Sequence, residues 1–272
     1  MVRMRAPRQW QQQKIAVGDY IWETSMSNTI IGAAFETNPL LRSILADHAE
    51  SDDAESLSSR GVFKIRDANA SGQRSSAGIL VNKMYATRGY HGTTSATDDT
   101  SNRITLVASD HDLTIGTLTV SFDTDNGLLV DDIFPEESDA LRKAGNKLCE
   151  FTKLAVDTTR SKRVLASLFH VAFIFAYRLK GYNLVLIEVN PRHVRYYQRM
   201  LGFKVIGPER LNLRVNAPAV LLCLDFVHAQ EQIGKFAGQA EAAEGERSLY
   251  PYFFSISEEA GIVGRLQGSR GL

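Results

Sequence analysis

The sequence predicts an α/β fold in which a mixed central sheet is flanked by helices, and three stretches carry that prediction. Val185–Val189 is a short apolar run, which suits a strand buried on both faces. Leu113–Phe122 alternates apolar and polar residues in its second half, as a half-buried strand does. Val164–Leu179 is the most apolar segment, but it contains His170 and Arg178 and is short for a bilayer span. A buried helix is therefore expected there, and no integral membrane segment.

The run after Val185 predicts a strand, a short helix and a second strand. Asn190 can accept a hydrogen bond from a first-turn N–H, and Pro191 loses nothing at the first helical position. Gly202 can take the left-handed conformation that ends a helix, and Phe203–Ile206 then resumes as strand. The helix in between places one apolar face on the sheet, made of Val194, Tyr197 and Leu201.

Three regions are predicted along the chain. Residues 1–60 form an N-terminal extension with an amphipathic helix over Asn28–Leu45 and an acidic linker, residues 61–226 form one domain, and residues 227–272 form a helical and aromatic extension. Further predicted elements are a strand at Val62–Arg66, a helix at Ser75–Arg88, a hairpin of Thr105–Ala108 with Leu113–Phe122, a sheet or rim segment at Leu128–Val130, a helix at Glu137–Lys147, and a helical segment from Phe226 to about Glu246.

The composition limits the possible partners and the compartment. Lys plus Arg and Asp plus Glu are both 31, so the formal charge is zero and no nucleic-acid partner is expected. Cys149 and Cys223 lie in separate apolar runs without a Cys-x-x-Cys pair, which indicates a reducing compartment and no structural zinc or other metal site. No signal-peptide pattern follows the basic N-terminus, so we expect a cytoplasmic location.

Glu150 is the most informative single residue, because it places a carboxylate in the middle of the predicted central strand Leu148–Val156. Such a group must be solvated by a cleft or paired, since an isolated buried charge costs several kcal/mol. Strict alternation would place Thr152, Leu154 and Val156 on the same face as Glu150. The two readings are a functional carboxylate in a cleft and a structural ion pair, with Arg142 or Lys153 as the partner.

In element order and in motif, residues 61–226 resemble the acyl-transferring GNAT fold, and within it the FeeM-type N-acyl amino acid synthases. Acyl-homoserine-lactone synthases are a more distant resemblance. The matching residues are Glu150 to Asp157, Glu188 to His193, and Tyr196-Tyr197 with Leu201-Gly202-Phe203. Where those families commonly have Arg, this chain has Lys153, which removes a bidentate partner at that position.

The resemblance implies roles for particular residues. Glu150 is the candidate base or the anchor of the substrate ammonium. Tyr197 resembles the helix tyrosine that protonates the leaving thiolate; the alternative is that Tyr196 or Tyr197 simply packs in the core. Backbone N–H groups near Leu154 to Val156 would stabilise the thioester carbonyl. The candidate substrate-binding residues are Asp98, Asp99, Thr152, Lys153, Asn190 and Arg192, and Arg103, Arg142 and Arg192 are unranked candidates to hold a substrate carboxylate.

The loop after Val156 departs from the acetyl-CoA-dependent relatives. Those have a glycine-rich loop whose backbone N–H groups bind the CoA pyrophosphate, whereas this chain has no glycine from Asp157 to Lys180. Arg160, Lys162 and Arg163 instead offer side-chain cations, which suit the single phosphate of phosphopantetheine and the acidic surface of an acyl carrier protein. A solvated basic turn is the alternative.

The expected function is therefore transfer of a long-chain fatty acyl group from acyl carrier protein to the α-amino group of an amino acid. No permanently bound cofactor is expected, because the acyl-phosphopantetheine or acyl-CoA donor is itself a substrate. Two alternatives remain: a GNAT acetyltransferase that uses acyl-CoA, and a non-catalytic acyl-binding or protein-binding module of the same fold.

Overall fold

The computed structural model describes residues 29–34, 62–68, 71–86, 102–157, 162–240 and 245–268. Within these ranges the strands form one sheet in the order β1-β2-β3-β4-β5-β6-β9-β7, and β8 pairs with β9 beside this path. Among these strands only the central β5–β6 pair is parallel; the other pairs are antiparallel. The strands are β1 Thr29–Ala34, β2 Val62–Asp67, β3 Arg103–Asp110, β4 Leu113–Phe122, β5 Leu148–Val156, β6 Leu184–Val189, β7 Lys204–Val205, β8 Arg210–Asn212 and β9 Ala217–Asp225. The predicted mixed central sheet is confirmed.

Helices cover both faces of this sheet. They are α1 Ser71–Ala86, α2 Pro135–Lys143, α3 Lys162–Phe173, α4 Val194–Leu201, α5 Phe226–Phe236 and α6 Ile256–Gly268, and α3 continues as a π-turn over Ile174–Leu179. The larger core packs α3, α4 and the C-terminal segment on one face. Smaller clusters pack α1 and the region before and within α2 on the other face. The predicted buried helix after Val164 is confirmed, since His170 and its apolar neighbours are fully buried.

Two predicted elements were wrong, and for a third the structure excludes one of the two alternatives. The helix over Asn28–Leu45 is contradicted at Thr29–Ala34, which is a strand paired with β2, because an open sheet edge offers this short apolar run backbone partners. Of the sheet and rim alternatives for Leu128–Val130, the sheet strand is excluded, because a 3₁₀ turn forms at Leu129–Asp132 and the Asp131 carboxylate accepts the Leu128 N–H at 2.7 Å. The helix predicted to reach Glu246 ends at Phe236, and Gly238 follows with φ of 77°.

The strand–helix–strand unit after Val185 matches its prediction closely. Asn190 accepts the Arg192 N–H through its side chain, Pro191 starts a 3₁₀ turn that leads into α4, and Gly202 ends α4 with φ of 81°. The Gly202 N–H donates to the carbonyl of Gln198 at 3.0 Å. This ending fixes the position of the helix that carries Tyr197.

Replacing Gly202 by Ala should lower the free energy of unfolding by about 1–2 kcal/mol, because a Cβ strains the left-handed conformation. That Cβ would also lie 2.7 Å from Nε2 of His228, at the end of a side chain that can move. Gly234→Ala is the matched control: a Cβ at Gly234 within α5 would meet no other part of the described chain within 4 Å, so this substitution should be neutral or slightly stabilising. Urea denaturation measures both, and equal midpoints would contradict the assignment of strain.

Candidate functional site

The two parallel strands at the centre of the sheet part from each other after a short paired stretch. Leu148, Cys149 and Glu150 of β5 pair with Leu184, Val185 and Leu186 of β6, and pairing stops there. The first strand nevertheless continues to Val156 and the second to Val189. A gap therefore opens in the middle of the sheet directly beyond Glu150, between the continuing backbones of the two strands.

A β-bulge in β5 shapes one side of this gap. Thr119 pairs with Thr152 and Thr117 pairs with Ala155, so β5 carries one extra residue there, and Lys153 has φ of 51°. Beyond the extra residue, each side chain lies on the face of the sheet opposite to the one that strict alternation gives. Leu154 and Val156 consequently pack against the larger core. Strict alternation from Glu150 was therefore the wrong expectation for Leu154 and Val156.

The bulge also leaves a backbone donor facing the gap. The N–H of Asp157 bonds the Ile115 carbonyl of β4 at 2.9 Å. Because successive N–H groups point to opposite edges of a strand, the N–H of Val156 points away from β4, towards the gap. This is the region where sequence reasoning expected a donor to the thioester carbonyl, at Leu154 to Val156.

Glu150 is almost completely buried, with 1% of its surface exposed. Its Oε2 accepts the N–H of Leu129 at 2.9 Å, and that is the one hydrogen bond to its carboxyl group among the described residues. The alternative of an ion pair with Arg142 is wrong, because Arg142 binds the carboxylates of Asp123, Asp131 and Asp139 instead. A sparsely bonded carboxyl group thus lies at the point where β5 and β6 part.

Burial raises the pKa of Glu150 from 4.5 to about 8, with a further contribution from the nearby negative charge of Glu188. The Leu129 N–H and the positive charges of Arg214 and Arg103 oppose this rise without cancelling it. A carboxylate with this pKa is a stronger base than an ordinary glutamate, and it ionises as the pH approaches about 8. Both properties suit a group that accepts a proton from an amine.

Glu188, Arg214 and Asn212 form a second polar group on the same face of the sheet. Glu188 Oε1 accepts from Arg214 Nη2 at 2.7 Å, and Oε2 accepts from Asn212 Nδ2 at 2.6 Å. Arg214 also donates to the Leu129 carbonyl at 2.8 Å, so the turn whose N–H binds Glu150 is held from its other side. Sequence reasoning assigned none of these three residues to the site, although Glu188 begins the matching stretch Glu188 to His193. The signal was present for Glu188, which is a carboxylate inside the apolar run at Val185–Val189.

Tyr197 lies on the opposite face of the sheet from Glu150. Its ring contacts Phe169 of α3 with centroids 6.4 Å apart and Phe203 with centroids 5.9 Å apart. Phe169 in turn contacts Phe151, which follows Glu150 in β5, at 6.0 Å. The half-buried Tyr197 therefore belongs to the aromatic packing on the α3 side of β5, whereas neighbouring Tyr196 is 39% exposed.

The remaining predicted binding residues are dispersed. Asn190 caps the 3₁₀ turn that leads into α4, and its side chain donates to the Pro218 carbonyl at 3.4 Å, which is a structural role. Arg192 is exposed and its Nε donates to His193 at 3.2 Å. Thr152 and Lys153 are half-buried at the bulge beside the gap. Asp98 and Asp99 lie outside the described residues.

The basic residues near the start of α3 also differ from one another. Lys162 is exposed, with its Nζ 5.8 Å from the ring centroid of Tyr252. Arg163 donates to the Tyr252 carbonyl at 2.7 Å and lies over the ring of Phe254, so its guanidinium holds the C-terminal segment. Arg160 lies outside the described residues.

Membrane spans and metal centres are both absent from the described part of the chain. No helix there has the length and hydropathy needed to cross a membrane. No group of three or more His, Cys, Asp and Glu side chains in the same ranges is arranged to hold a metal ion.

Comparison with known proteins identifies strong similarity to one family. The family model described as N-acyl amino acid synthase FeeM matches residues 76–225, which is more than half of the chain. The solved structure of FeeM, an N-acyl amino acid synthase from uncultured soil microbes, is 28% identical with a TM-score of 0.55, over 62% of this chain and 93% of that chain.

Two other solved structures show more distant similarity. An N-acetyltransferase from Staphylococcus aureus Mu50 is 13% identical with a TM-score of 0.44, over 61% of this chain and 98% of that chain. The AHL synthase LasI is 11% identical with a TM-score of 0.44, over 60% of this chain and 90% of that chain. No curated protein sequence matches the chain.

Proposed function

The chain belongs to the FeeM N-acyl amino acid synthase family and is an acyltransferase of the GNAT fold, and we propose that it moves a long-chain fatty acyl group from acyl carrier protein to the α-amino group of an amino acid. The observation that carries the proposal is Glu150, a buried carboxyl group with a pKa of about 8 at the point where β5 and β6 part. The catalytic domain is proposed to span residues 61–226, and the proposed location is cytoplasmic.

The reaction joins the acceptor nitrogen to the thioester carbonyl carbon and breaks the carbon–sulfur bond. We assign Glu150 to take the proton from the α-amine, directly or through water, so that a neutral amine attacks. The Val156 N–H, with that of Leu154, donates to the oxyanion of the tetrahedral intermediate. Tyr197 donates a proton to the leaving thiolate, since it lies on the other face of the sheet from Glu150 and a thioester in the gap would lie between them. The nitrogen loses two protons in all: the first leaves the ammonium through Glu150 to solvent, and the second leaves the tetrahedral intermediate as the amide forms and balances the proton that Tyr197 gives to sulfur.

The proposed donor is an acyl carrier protein, with acyl-CoA as the competing donor. The region after β5 lacks the glycines that let backbone N–H groups approach a pyrophosphate, and Lys162 presents an exposed charge at the start of α3. Arg160 belongs to the same proposed patch. Arg163 is proposed to add its positive charge to this patch. Its hydrogen bonds to the Tyr252 and Phe253 carbonyls give it a structural role as well.

Reversing the charge of Lys162, as Lys162→Glu, should weaken binding of acyl carrier protein about three- to tenfold at low salt, because the carrier surface is acidic. The difference from wild type should shrink as salt is added, since screening removes it. Lys235→Glu is the matched control on an exposed position of α5. Titration calorimetry at two salt concentrations measures the effect; equal affinities of the two variants would contradict the patch.

The function itself is tested with purified protein, a mixture of amino acids, and either palmitoyl carrier protein, palmitoyl-CoA or acetyl-CoA. We expect release of free thiol and formation of N-palmitoyl amino acids, detected by mass spectrometry, fastest with the carrier-protein donor. Acetyl transfer from acetyl-CoA alone would instead identify an acetyltransferase. Binding of the donor without thiol release would identify a non-catalytic module.

A further inference from the structure

Arg103, Ser121 and Glu150 form one row across three adjacent strands. Arg103 of β3 pairs with Ser121 of β4, and Ser121 pairs with Glu150 of β5. Paired residues of antiparallel strands extend from the same face of a sheet, with Cβ atoms about 5 Å apart. A cation, a hydroxyl group and a carboxyl group therefore share the face on which Glu150 lies.

The buried Ser121 hydroxyl group also points to a polar ligand at this row. Ser121 is 3% exposed, and its Oγ has no hydrogen-bond partner among the described residues. Thr105 and Thr119 form the neighbouring row on the same face, and their Oγ1 atoms lie 2.9 Å apart. Hydroxyl groups on this face therefore do hydrogen-bond to each other where a suitable neighbour exists. A buried hydroxyl without a partner destabilises the folded protein, and a hydrogen bond to a bound polar ligand would offset that cost.

The structure also ranks the arginines that the sequence left open. Arg142 already binds three carboxylates, and Arg192 is exposed beyond the end of β6. Arg103 is the one of the three that shares a row with Glu150. It is two strands away, about 10 Å between backbones, and a long side chain can reach over the intervening serine.

We propose that Arg103 and Ser121 bind the α-carboxylate of the acceptor amino acid and so place its α-amine against Glu150; this rests on the proposed function. A guanidinium fork binds a carboxylate through two parallel hydrogen bonds, and the serine hydroxyl supplies a third donor. The acceptor class is then the α-amino acids rather than amines in general. The substrate carboxylate would lie at Arg103 and the substrate amino group at Glu150, which are the two ends of the row.

The electrostatics support this arrangement. The positive charge of Arg103 lowers the pKa of Glu150 and so opposes the effect of burial. A carboxylate bound at Arg103 offsets that charge, so Glu150 becomes a stronger base when the acceptor is in place. Removing Arg103 should therefore raise the kinetic pKa assigned to Glu150 in the enzyme without acceptor.

The test compares amino acids with the corresponding amines that lack the carboxylate, using wild type, Arg103→Met and Arg103→Lys. We expect Arg103→Met to lose at least about 30-fold in kcat/KM for amino acids, mainly through KM, and less than about threefold for the amines. Arg103→Lys, which keeps the charge but not the fork, should be intermediate and provides a second variant if the methionine variant folds poorly.

The controls remove similar groups from the same sheet, farther from Glu150. Arg66→Met removes an arginine that pairs with Val107, and Thr117→Val removes a second buried hydroxyl, opposite Ala155, for which the described residues offer no partner. Both should keep the wild-type preference for amino acids over amines, whereas Ser121→Ala should weaken it. If Arg103→Met lowered kcat/KM equally for amino acids and for amines, the inference about Arg103 would be overturned and the proposed function would stand. A wild type that acylates no amino acid would overturn the proposed function and the inference with it.

Discussion

Replacing Glu150 by Gln should reduce acyl transfer at least about a hundredfold while leaving the protein folded. Gln keeps the shape of the side chain and can still accept the Leu129 N–H through its amide oxygen, but it cannot accept a proton from the amine. Thiol release under saturating donor and acceptor measures the loss. In wild type the rate should rise with pH until about 8, following the ionisation of Glu150, and this dependence should be absent from the residual rate of the variant.

The control for this variant is Glu136→Gln, which neutralises an exposed carboxylate of α2. It should retain wild-type turnover and pH dependence. Turnover of Glu150→Gln within about threefold of wild type would remove Glu150 from the chemistry. The proposal of an acyltransferase site in the gap would then need another base.

The same substitution should increase stability at alkaline pH, and the sign follows from the pKa. Folding raises the pKa of Glu150 from 4.5 to about 8, so the folded protein holds its proton more tightly than the unfolded chain. Stability therefore falls as the pH rises from about 4.5 to 8, because the unfolded chain ionises first. Glu150→Gln lacks this loss, and it should unfold at higher urea than wild type at pH 8.5 and at similar urea at pH 4.5. Parallel pH profiles would contradict the raised pKa.

Replacing Glu259 by Ala should lower the free energy of unfolding by about 3 kcal/mol or more. Glu259 of α6 accepts from Arg178 Nε at 2.7 Å and from His170 Nε2 at 3.1 Å, and His170 is fully buried. Removing the carboxylate leaves a guanidinium and a buried imidazole N–H without this partner, which is the costly way to break a buried pair. Urea denaturation measures the change. Gln267→Ala, at an exposed position of the same helix, is the control and should be near neutral.

The pH dependence of stability provides a second check on this network. His170 Nδ1 accepts the Phe254 N–H at 3.0 Å, so Nε2 carries the proton and the ring is neutral. Burial lowers the pKa of His170, and the charges of Arg178 and Arg163 add to that effect, whereas Glu259 opposes it. Because the unfolded chain takes up a proton more readily, stability should fall as the pH drops below about 6.5. His170→Phe should lack this fall; an unchanged pH profile would contradict the neutral assignment.

Much of the fold could be predicted from local patterns. The limits of β4 and β5, the buried helix at Val164 and the Asn190–Gly202 unit all follow from periodicity and from residues with special backbone preferences. Glu150 could be selected for the same kind of reason, since a carboxylate inside an apolar strand is costly wherever the strand is buried. These properties depend on a residue and its near neighbours in sequence, so the sequence carries them.

The remaining features depend on contacts between distant segments. The bulge at Lys153 exists because β5 pairs with β4 out of strict register, and the strand at Thr29–Ala34 exists because β2 offers it an edge. Arg163 was predicted to face a donor phosphate, but the carbonyls of Tyr252 and Phe253, about 90 residues later, accept its hydrogen bonds.

For this protein, the sequence alone determined the fold class, the family resemblance and the choice of Glu150 as the carboxylate of the proposed site. Only the tertiary structure decided which groups surround that carboxylate: the Leu129 N–H on one side, Glu188 with Arg214 nearby, and Ser121 and Arg103 in the same row. The physical reason is that burial and charge set the pKa of Glu150, and both are properties of strands and turns brought together by folding.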